Sequence, residues 1–286
     1  MRFAVIGAAG QLGSELCEQL GANAVGWTRS QIDLLSRDAI EQALREHAPD
    51  IVINAAAYNK VDLAEDEPEK AYETNALGPR LLAQLCAQHN MTLVHVSTDY
   101  VFGADICRST PYVESDAPGP VSAYGISKLS GEYYVRSLCP RHFVIRTCGL
   151  YGHAARQGAG KGNFVETMIR LGQQRDVLRV VDDQVCTPTS VRHLARALIQ
   201  LATTNAYGLY HATNSGTATW ARLAEAIFEF LQMPTRVERI SSADYPTKAL
   251  RPGYSVLNCH KLANAVGSAL PDWQTAVREY LEERRQ

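Results

Sequence analysis

Short apolar runs alternate with longer helical stretches through the first half of the chain. Five such runs predict strands, at 3–6, 24–27, 50–54, 92–97 and 143–146. The longest intervening helix is predicted over 65–90, with Pro68 near its start, as suits a proline in the first turn. Strands separated by helices in this way predict an α/β fold with a Rossmann-type, doubly wound parallel sheet. Ligands of such sheets bind at the carboxyl ends of the strands.

The pattern is less regular in the second half of the chain. Loops rich in Gly and Gln interrupt it over 156–163. Helices are predicted over 164–173, 191–203 and 219–231, and short strands near 178–181 and 208–212. This change predicts a smaller C-terminal lobe that follows the parallel sheet.

A glycine-rich turn follows the first predicted strand. Gly7, Gly10 and Gly13 have the spacing G-x-x-G-x-x-G and precede a predicted helix. Glycines at a strand–helix turn let backbone N–H groups approach a pyrophosphate at the positive end of the helix. The turn therefore predicts a dinucleotide site, and a tight structural turn is the alternative.

The residues after the second predicted strand indicate which dinucleotide binds. Thr28 and Arg29 stand there, and no carboxylate occurs until Asp33. An acidic residue at this place favours a free ribose 2′-OH, whereas an Arg accommodates a 2′-phosphate. We therefore predict NADPH, with NADH possible, although Arg29 could be a solvated loop residue. Asp33 could border the adenine with Leu34, or cap a helix that opens at Ser36.

Tyr124 and Lys128 are four residues apart and share one face of a predicted helix. A cation near a phenol lowers its pKa, which makes Tyr124 a candidate proton donor to a carbonyl. Thr98 ends the fourth predicted strand, where its hydroxyl could donate to a substrate carbonyl. The alternatives are an exposed Tyr beside a solvated Lys, and a Thr that only caps a turn.

Together these motifs resemble those of the extended short-chain dehydrogenase/reductases, most closely the dTDP-4-dehydrorhamnose reductase family. The similarity covers nearly the whole chain. The glycine turn and the Tyr124–Lys128 pair are common to the superfamily, whereas 54–62, 182–189 and 215–220 are more specific to the reductase branch. The matching segments are 7–13, 54–62, 97–102, 124–128, 182–189, 215–220 and 251–252.

The resemblance implies NADPH-dependent reduction of the 4-keto group of a deoxysugar nucleotide, with dTDP-4-dehydro-L-rhamnose as the expected substrate. Tyr124 would protonate the oxygen, Lys128 would hold the nicotinamide ribose and tune Tyr124, and Thr98 would orient the keto group. The expected substrate-binding residues are Thr98, Asp99, Tyr124 and Arg251. The expected cofactor-binding residues are Gly7, Gly10, Gln11, Leu12, Gly13, Thr28, Arg29, Asp33, Leu34, Ala56, Ala57, Tyr58, Val96, Tyr124 and Lys128.

In this family the second half of the chain is partly interleaved with the first. The resemblance therefore implies an NAD(P)-binding Rossmann domain over 1–150 and a substrate-binding lobe over 151–286, with an approximate boundary. Arg251 could bind a diphosphate bidentately, with a surface ion pair as the alternative. Lys161 could also contact phosphates, and a solvated loop is the equal alternative.

Two positions depart from the family pattern. Gly149 stands where relatives often carry a Trp that lines the sugar pocket, which leaves the identity of the sugar open. The aromatic wall is then missing, or Tyr151 or Tyr100 supplies it. Glu15 matches a residue that serves a metal-bridged dimer in some relatives, but a glutamate in a first helical turn also suits the helix dipole. We predict no metal, and a monomer or a homodimer.

Composition is consistent with a metabolic enzyme. The net charge of −2 gives no basic field for nucleic acid, and no apolar run approaches the length of a membrane span. The seven cysteines are scattered and show no C-x-x-C, which indicates reduced thiols. With no signal-peptide pattern before the first strand, we expect a cytoplasmic protein.

Two other functions remain open from the sequence. An epimerase or a 4,6-dehydratase would use the same scaffold, but dehydratases place Asp-Glu after the Thr, and here Tyr100 follows Asp99. A non-catalytic NADP-binding regulatory subunit is the third possibility. The intact Thr98, Tyr124 and Lys128 argue against it.

Overall fold

The computed structural model describes residues 1–154 and 162–285, and Lys161 lies outside them. The described residues contain the strands β1 Phe3–Ile6, β2 Ala24–Trp27, β3 Ile51–Asn54, β4 Thr92–Thr98, β5 His142–Thr147, β6 Leu150–Tyr151, β7 Val177–Val181, β8 Val185–Cys186, β9 Thr189–Ser190, β10 Gly208–His211, β11 Ala218–Thr219 and β12 Arg236–Ile240. The helices are α1 Gln11–Leu20, α2 Arg37–His47, α3 Pro68–Tyr72, α4 Gly78–Gln88, α5 Ala123–Leu138, α6 Phe164–Gly172, α7 Val191–Ala202, α8 Trp220–Leu231, α9 His260–Val266 and α10 Trp273–Arg285.

The central sheet has six parallel strands in the order β10-β5-β4-β3-β1-β2. Helices α1, α7 and α9 pack on one face of it, and α2, α4 and α5 on the other. Because both faces are covered, the strands read as continuous apolar runs rather than as alternating ones. The predicted doubly wound α/β fold is confirmed.

The helix predicted over 65–90 differs from the prediction in its middle. Pro68 begins α3 as expected, but α3 and α4 are joined by a π-helical segment, Glu73–Leu77. A π-helical turn inserts an extra residue into the helix and changes the direction of the side chains that follow. It places Asn75, which is 1% exposed, between the loop after β3 and helix α5.

The second half of the chain contributes to both lobes. Strand β10 pairs with β5 and completes the sheet, and α7 packs against α1. Helices α6, α8 and α10 form a separate apolar core with β7 and β12. The chain therefore crosses between the lobes after residue 150, and a division at that residue follows the structure only approximately. None of the described helices is long and apolar enough to cross a membrane.

Candidate active site

One cavity of about 380 Å³ lies at the carboxyl edge of the sheet, where it meets the second lobe. Of the residues predicted for the site, those that line the cavity are Gly10, Gln11, Leu12, Ala57, Val96, Thr98, Asp99, Tyr124 and Lys128. Those outside its lining are Gly7, Gly13, Thr28, Arg29, Asp33, Leu34, Ala56, Tyr58 and Arg251. The strand ends and helix α5 thus bring together the predicted catalytic side chains and the middle of the glycine turn.

The glycine turn is closely packed on the strand beside it. Gly7 has φ +86°, and a Cβ there would lie 2.7 Å from the backbone nitrogen of Ala56. Gly13 packs against the carbonyl of Gly7, so a side chain at either position would force the turn open. Gly10 is the N-cap of α1 and has no side chain to satisfy the first N–H groups of the helix. The start of α1 therefore offers backbone donors to the cavity.

The end of β2 lies beside this turn. The carbonyl of Trp27 accepts from the N–H groups of both Gly7 and Ala8, at 2.9 and 3.1 Å. Thr28 and Arg29 follow directly, and Arg29 is exposed. Arg29 thus stands two residues beyond the end of β2, next to the strand end that holds the glycine turn.

Asp33 does not cap a helix. Its Oδ1 accepts from the N–H of Leu35 at 2.9 Å, which closes a local turn. Ser36 is the N-cap of α2, and its Oγ accepts from the N–H of Ala39 at 3.3 Å. Of the two roles considered for Asp33, only that of an adenosine contact is left open.

Asn75 holds the loop after β3 in place. Its Oδ1 accepts from the N–H of Tyr58 at 2.8 Å, and its Nδ2 donates to the carbonyl of Tyr58 and to Ser127 Oγ, both at 3.0 Å. Sequence reasoning missed Asn75, because nothing in the sequence indicated that the helix would carry a π-helical segment there.

Thr98, Tyr124 and Lys128 all line the cavity. Thr98 ends β4, and Ser122 caps α5 so that Tyr124 stands in its first turn. The Thr98 hydroxyl is hydrogen-bonded to the Tyr124 phenol. Lys128 is 2% exposed, and its Nζ donates to the carbonyl of Val96 at 2.6 Å. A hydroxyl, a phenol and an ammonium thus face the same small volume.

The expectation that Lys128 lowers the phenol pKa is wrong in this structure. Burial raises the pKa of Tyr124 to about 12, and the hydrogen bond to Thr98 offsets only part of that rise. Burial also lowers the pKa of Lys128 to about 8, against the opposing charge of Glu132. Desolvation disfavours the charged form of each group and exceeds the effect of the neighbouring charge. Tyr124 therefore carries its proton at neutral pH, as a proton donor must.

A buried ion pair lies behind Lys128. Glu132, one turn further along α5, is bound by Arg146 through Nε at 2.9 Å and NH2 at 2.7 Å. The two side chains are 0% and 1% exposed. Ser97 Oγ also donates to Glu132, at 2.5 Å, and the ring of His211 lies 3.4 Å from Arg146. This network joins α5 to the ends of β4, β5 and β10, and the sequence analysis did not single it out.

Asp99 also lines the cavity and is 3% exposed. Its carboxylate accepts from Ser255 Oγ at 2.6 Å, and burial is the main cause that raises its pKa. Arg251, from the same segment as Ser255, binds Asp62 with NH1 at 3.2 Å and NH2 at 2.8 Å. The surface ion pair considered for Arg251 is therefore present, and a diphosphate would have to compete with Asp62 for it.

The neighbours of Gly149 show which aromatic side chain lies beside it. Gly149 has φ +54°, and a Cβ there would lie 3.5 Å from the outer edge of the Trp220 ring. Tyr151 lines the cavity, but it is 1% exposed and packs edge-on to Tyr280 in the core of the second lobe. Tyr100 also lines the cavity and stands edge-on to Tyr124, with ring centroids 5.9 Å apart. The aromatic residue next to Gly149 is therefore Trp220, which was recognised only as part of a motif.

No group of metal-binding side chains occurs among the residues that the structure describes. Glu15, the one residue considered for a metal, accepts a hydrogen bond from Gln19 Nε2 at 2.7 Å. Gln19 also donates to the carbonyl of Arg192 on the neighbouring segment. Glu15 thus has a structural role at the contact of α1 with α7.

Comparison with known proteins identifies relatives along the full chain. The family model described as "RmlD substrate binding domain" matches residues 1–286. A dTDP-4-dehydrorhamnose reductase of Sinorhizobium fredii is 39% identical over 97% of this chain and 96% of its own. A probable dTDP-4,6-dihydroxy-2-methyloxan-3-one 4-ketoreductase of Streptomyces antibioticus is 40% identical over 98% and 94%. The crystal structure of a Bacillus anthracis dTDP-4-dehydrorhamnose reductase in complex with NADP superimposes with a TM-score of 0.93 at 36% identity, covering 99% of both chains.

Proposed function

The chain belongs to the dTDP-4-dehydrorhamnose reductase family, and on that premise we propose that it reduces the 4-keto group of a deoxysugar nucleotide with NADPH. It is an NAD(P)H-dependent oxidoreductase. The expected substrate is dTDP-4-dehydro-L-rhamnose and the expected product is dTDP-L-rhamnose. The observation that carries the proposal is the meeting of Thr98, Tyr124 and Lys128 in one cavity beside the glycine turn.

The glycine turn fits a dinucleotide. Because its glycines have no side chains, the turn packs closely on Ala56 and a pyrophosphate can approach its backbone. The uncapped start of α1 supplies N–H donors for the pyrophosphate. We propose that the N–H groups of Gln11 and Leu12 bind it, with Gly10 and Gly13 allowing the approach. Ala57 and Val96, which line the same cavity, would flank the nicotinamide.

The adenosine end of the cofactor would lie outside the cavity, along the loop after β2. Thr28, Arg29, Asp33 and Leu34 occupy that loop, and Tyr58 lies on the next one. Arg29 is the cation that would bind a 2′-phosphate. Arg29 is exposed, and within residues 1–154 and 162–285 it takes part in no hydrogen bond or ion pair, so it is available for that contact.

Replacing Arg29 with alanine is expected to raise the KM for NADPH by about tenfold, the worth of one charge-assisted hydrogen bond at an exposed site. The KM for NADH should change little, because NADH lacks the 2′-phosphate. Steady-state kinetics with both cofactors measures the two effects. Equal changes for NADPH and NADH would contradict the 2′-phosphate role.

The proposed chemistry divides between the cofactor and three side chains. NADPH, when bound, supplies the hydride that adds to the keto carbon. Tyr124 donates its proton to the carbonyl oxygen, so that the C=O becomes a secondary alcohol. Thr98 donates a hydrogen bond to the same oxygen and stabilises the charge that develops on it. Lys128 holds the nicotinamide ribose with its ammonium.

The role of Lys128 predicts a pH dependence. Its pKa of about 8 lies below the ordinary value, so the ammonium is present at neutral pH and is lost as the pH rises through 8. We expect kcat/KM to fall over that range, since kcat/KM reports groups of the free enzyme. Tyr124 titrates at about 12 and cannot produce this limb. A pH profile that stays level there, or that is unchanged in Lys128→Arg, would contradict the assignment.

The direct test of the function is consumption of NADPH with enzymatically generated dTDP-4-dehydro-L-rhamnose. We expect oxidation of NADPH and formation of dTDP-L-rhamnose in equal amounts. If NADPH were oxidised only with a different 4-keto sugar nucleotide, the proposed reaction would stand and the proposed substrate would be wrong. Binding of NADPH without turnover of any keto-sugar nucleotide would overturn the proposal.

We further propose that the partners of the site are the nucleotide-sugar substrate and NADPH, with no nucleic acid and no membrane, and that the protein acts in the cytoplasm as a monomer or a homodimer. All seven cysteines have free thiols, which suits a reducing compartment. Two substrate contacts also remain proposals. Asp99 would touch the sugar, and Arg251 would bind the diphosphate after exchange from Asp62.

A further inference from the structure

The lining of the cavity has two chemically different sources. The end of β4 and the first turn of α5 supply the hydroxyl, carboxyl and phenol of Thr98, Asp99 and Tyr124. The second lobe supplies apolar side chains from the first turns of two helices, α6 and α8. These are Phe164, Val165, Trp220 and Leu223. A ligand of this cavity must therefore present both polar and apolar surface.

Trp220 lies close to the reacting centre. Thr147 is the register partner of Thr98, and Cys148, the next residue, is hydrogen-bonded to Asp99. Gly149 follows, and the outer edge of the Trp220 ring lies 3.5 Å from the point where a Cβ of Gly149 would be. The absence of a side chain at Gly149 therefore leaves the indole edge next to the strand ends that carry the catalytic groups.

The Trp220 ring is held in place from two sides. Its centroid is 4.9 Å from that of Phe164, with the planes tilted by 43°. Thr219, the N-cap of α8, accepts from the N–H of Arg222 at 3.1 Å and donates to Asp182 at 2.5 Å. The capped start of α8 and the packing on Phe164 hold the indole at the wall of the cavity.

We propose that Trp220, supported by Phe164, is the specificity-determining wall of the sugar subsite and selects sugars that carry a methyl group in place of the 6-hydroxymethyl group. This inference rests on the proposed function and adds the sugar feature that the site reads. A methyl group gains from contact with the ring, whereas a hydroxyl at that place loses its hydrogen bonds to water.

Binding of dTDP, dTDP-L-rhamnose and dTDP-L-mannose, which differs from dTDP-L-rhamnose only by a 6-hydroxyl, tests the proposal by calorimetry without turnover. The wild type should bind dTDP-L-rhamnose more tightly than dTDP-L-mannose. In Trp220→Ala we expect the Kd of dTDP-L-rhamnose to rise about 10–100-fold, the range for losing an apolar group from a pocket. The Kd values of dTDP and NADPH should stay the same, and Trp220→Phe should retain most of the affinity.

Phe230→Ala is the matched control, because Phe230 is an aromatic residue of α8 outside the cavity lining. It should leave all the dissociation constants unchanged, and thermal melting checks that each variant folds. An equal loss for dTDP and dTDP-L-rhamnose in Trp220→Ala would overturn the proposal, because the wall would then hold the base. No loss for either would overturn it as well.

The outcome for the wild type separates this inference from the function on which it rests. If the wild type reduces the keto sugar and Trp220→Ala binds dTDP-L-rhamnose as tightly as the wild type does, only the role of Trp220 is refuted. A wild type that neither binds dTDP-sugars nor oxidises NADPH with them would overturn both proposals.

Discussion

Replacing Tyr124 with phenylalanine is expected to lower kcat for the keto sugar by about 10²–10⁴-fold, the contribution of a positioned general acid. The change removes one hydroxyl and leaves the ring in its place against Tyr100. Because the phenol remains protonated up to a pKa of about 12, it carries a proton for transfer at every pH of the assay. Single-turnover oxidation of NADPH measures the loss in the chemical step.

The affinity for NADPH should not change in this variant, since Lys128 and the glycine turn are untouched. Tyr133→Phe is the control, because Tyr133 is on the same helix and is 52% exposed. It should retain wild-type rates. Comparable rates for Tyr124→Phe and the wild type would remove Tyr124 from the role of proton donor.

The second large effect concerns stability. Glu132→Ala is expected to lower the free energy of unfolding by about 3–5 kcal/mol, because it leaves the buried guanidinium of Arg146 without its partner. Ser97 loses its acceptor at the same time. Urea denaturation followed by circular dichroism measures the change, with the slope of the transition as a check on two-state unfolding.

An exposed pair supplies the control for this experiment. Arg179 and Glu238 are 3.3 Å apart, and both side chains are 55% exposed. Glu238→Ala should therefore cost less than about 1 kcal/mol. A double variant, Glu132→Leu with Arg146→Met, should recover part of the loss, since no buried charge is then unpaired. A small loss in Glu132→Ala, equal to that of Glu238→Ala, would show that the network does not stabilise the fold.

Much of the sheet was predictable because its strands are buried on both faces and flanked by turn signals. The run at 3–6 and the glycines after it specify strand, turn and helix within a few residues of one another. The π-helical segment at 73–77 was not predictable, because it depends on Asn75 reaching Tyr58 and Ser127, which are distant in sequence. The pairing of β10 with β5 was not predictable for the same reason, because it joins segments that are distant in sequence.

The candidate site shows a similar division. Thr98, Tyr124 and Lys128 belong to short motifs, and each lies where its strand end or helix face placed it. Trp220 and Glu132 act through contacts with segments far along the chain, so local spacing did not indicate them. The rise in the pKa of Tyr124 was not predicted, for a different reason. A sequence shows that Lys128 is near, but it does not show how completely the pair is removed from water.

The pairing of β10 with β5 has a consequence for how the protein is made. When the ribosome has synthesised the first 150 residues, β5 is the last strand of the sheet and its outer edge has no neighbour. Strand β10 covers that edge only after residue 211 has emerged. Until then the nascent chain presents an unpaired edge strand, the kind of surface on which chains aggregate and chaperones act. The interleaving that builds the cleft therefore also delays the completion of the sheet during translation.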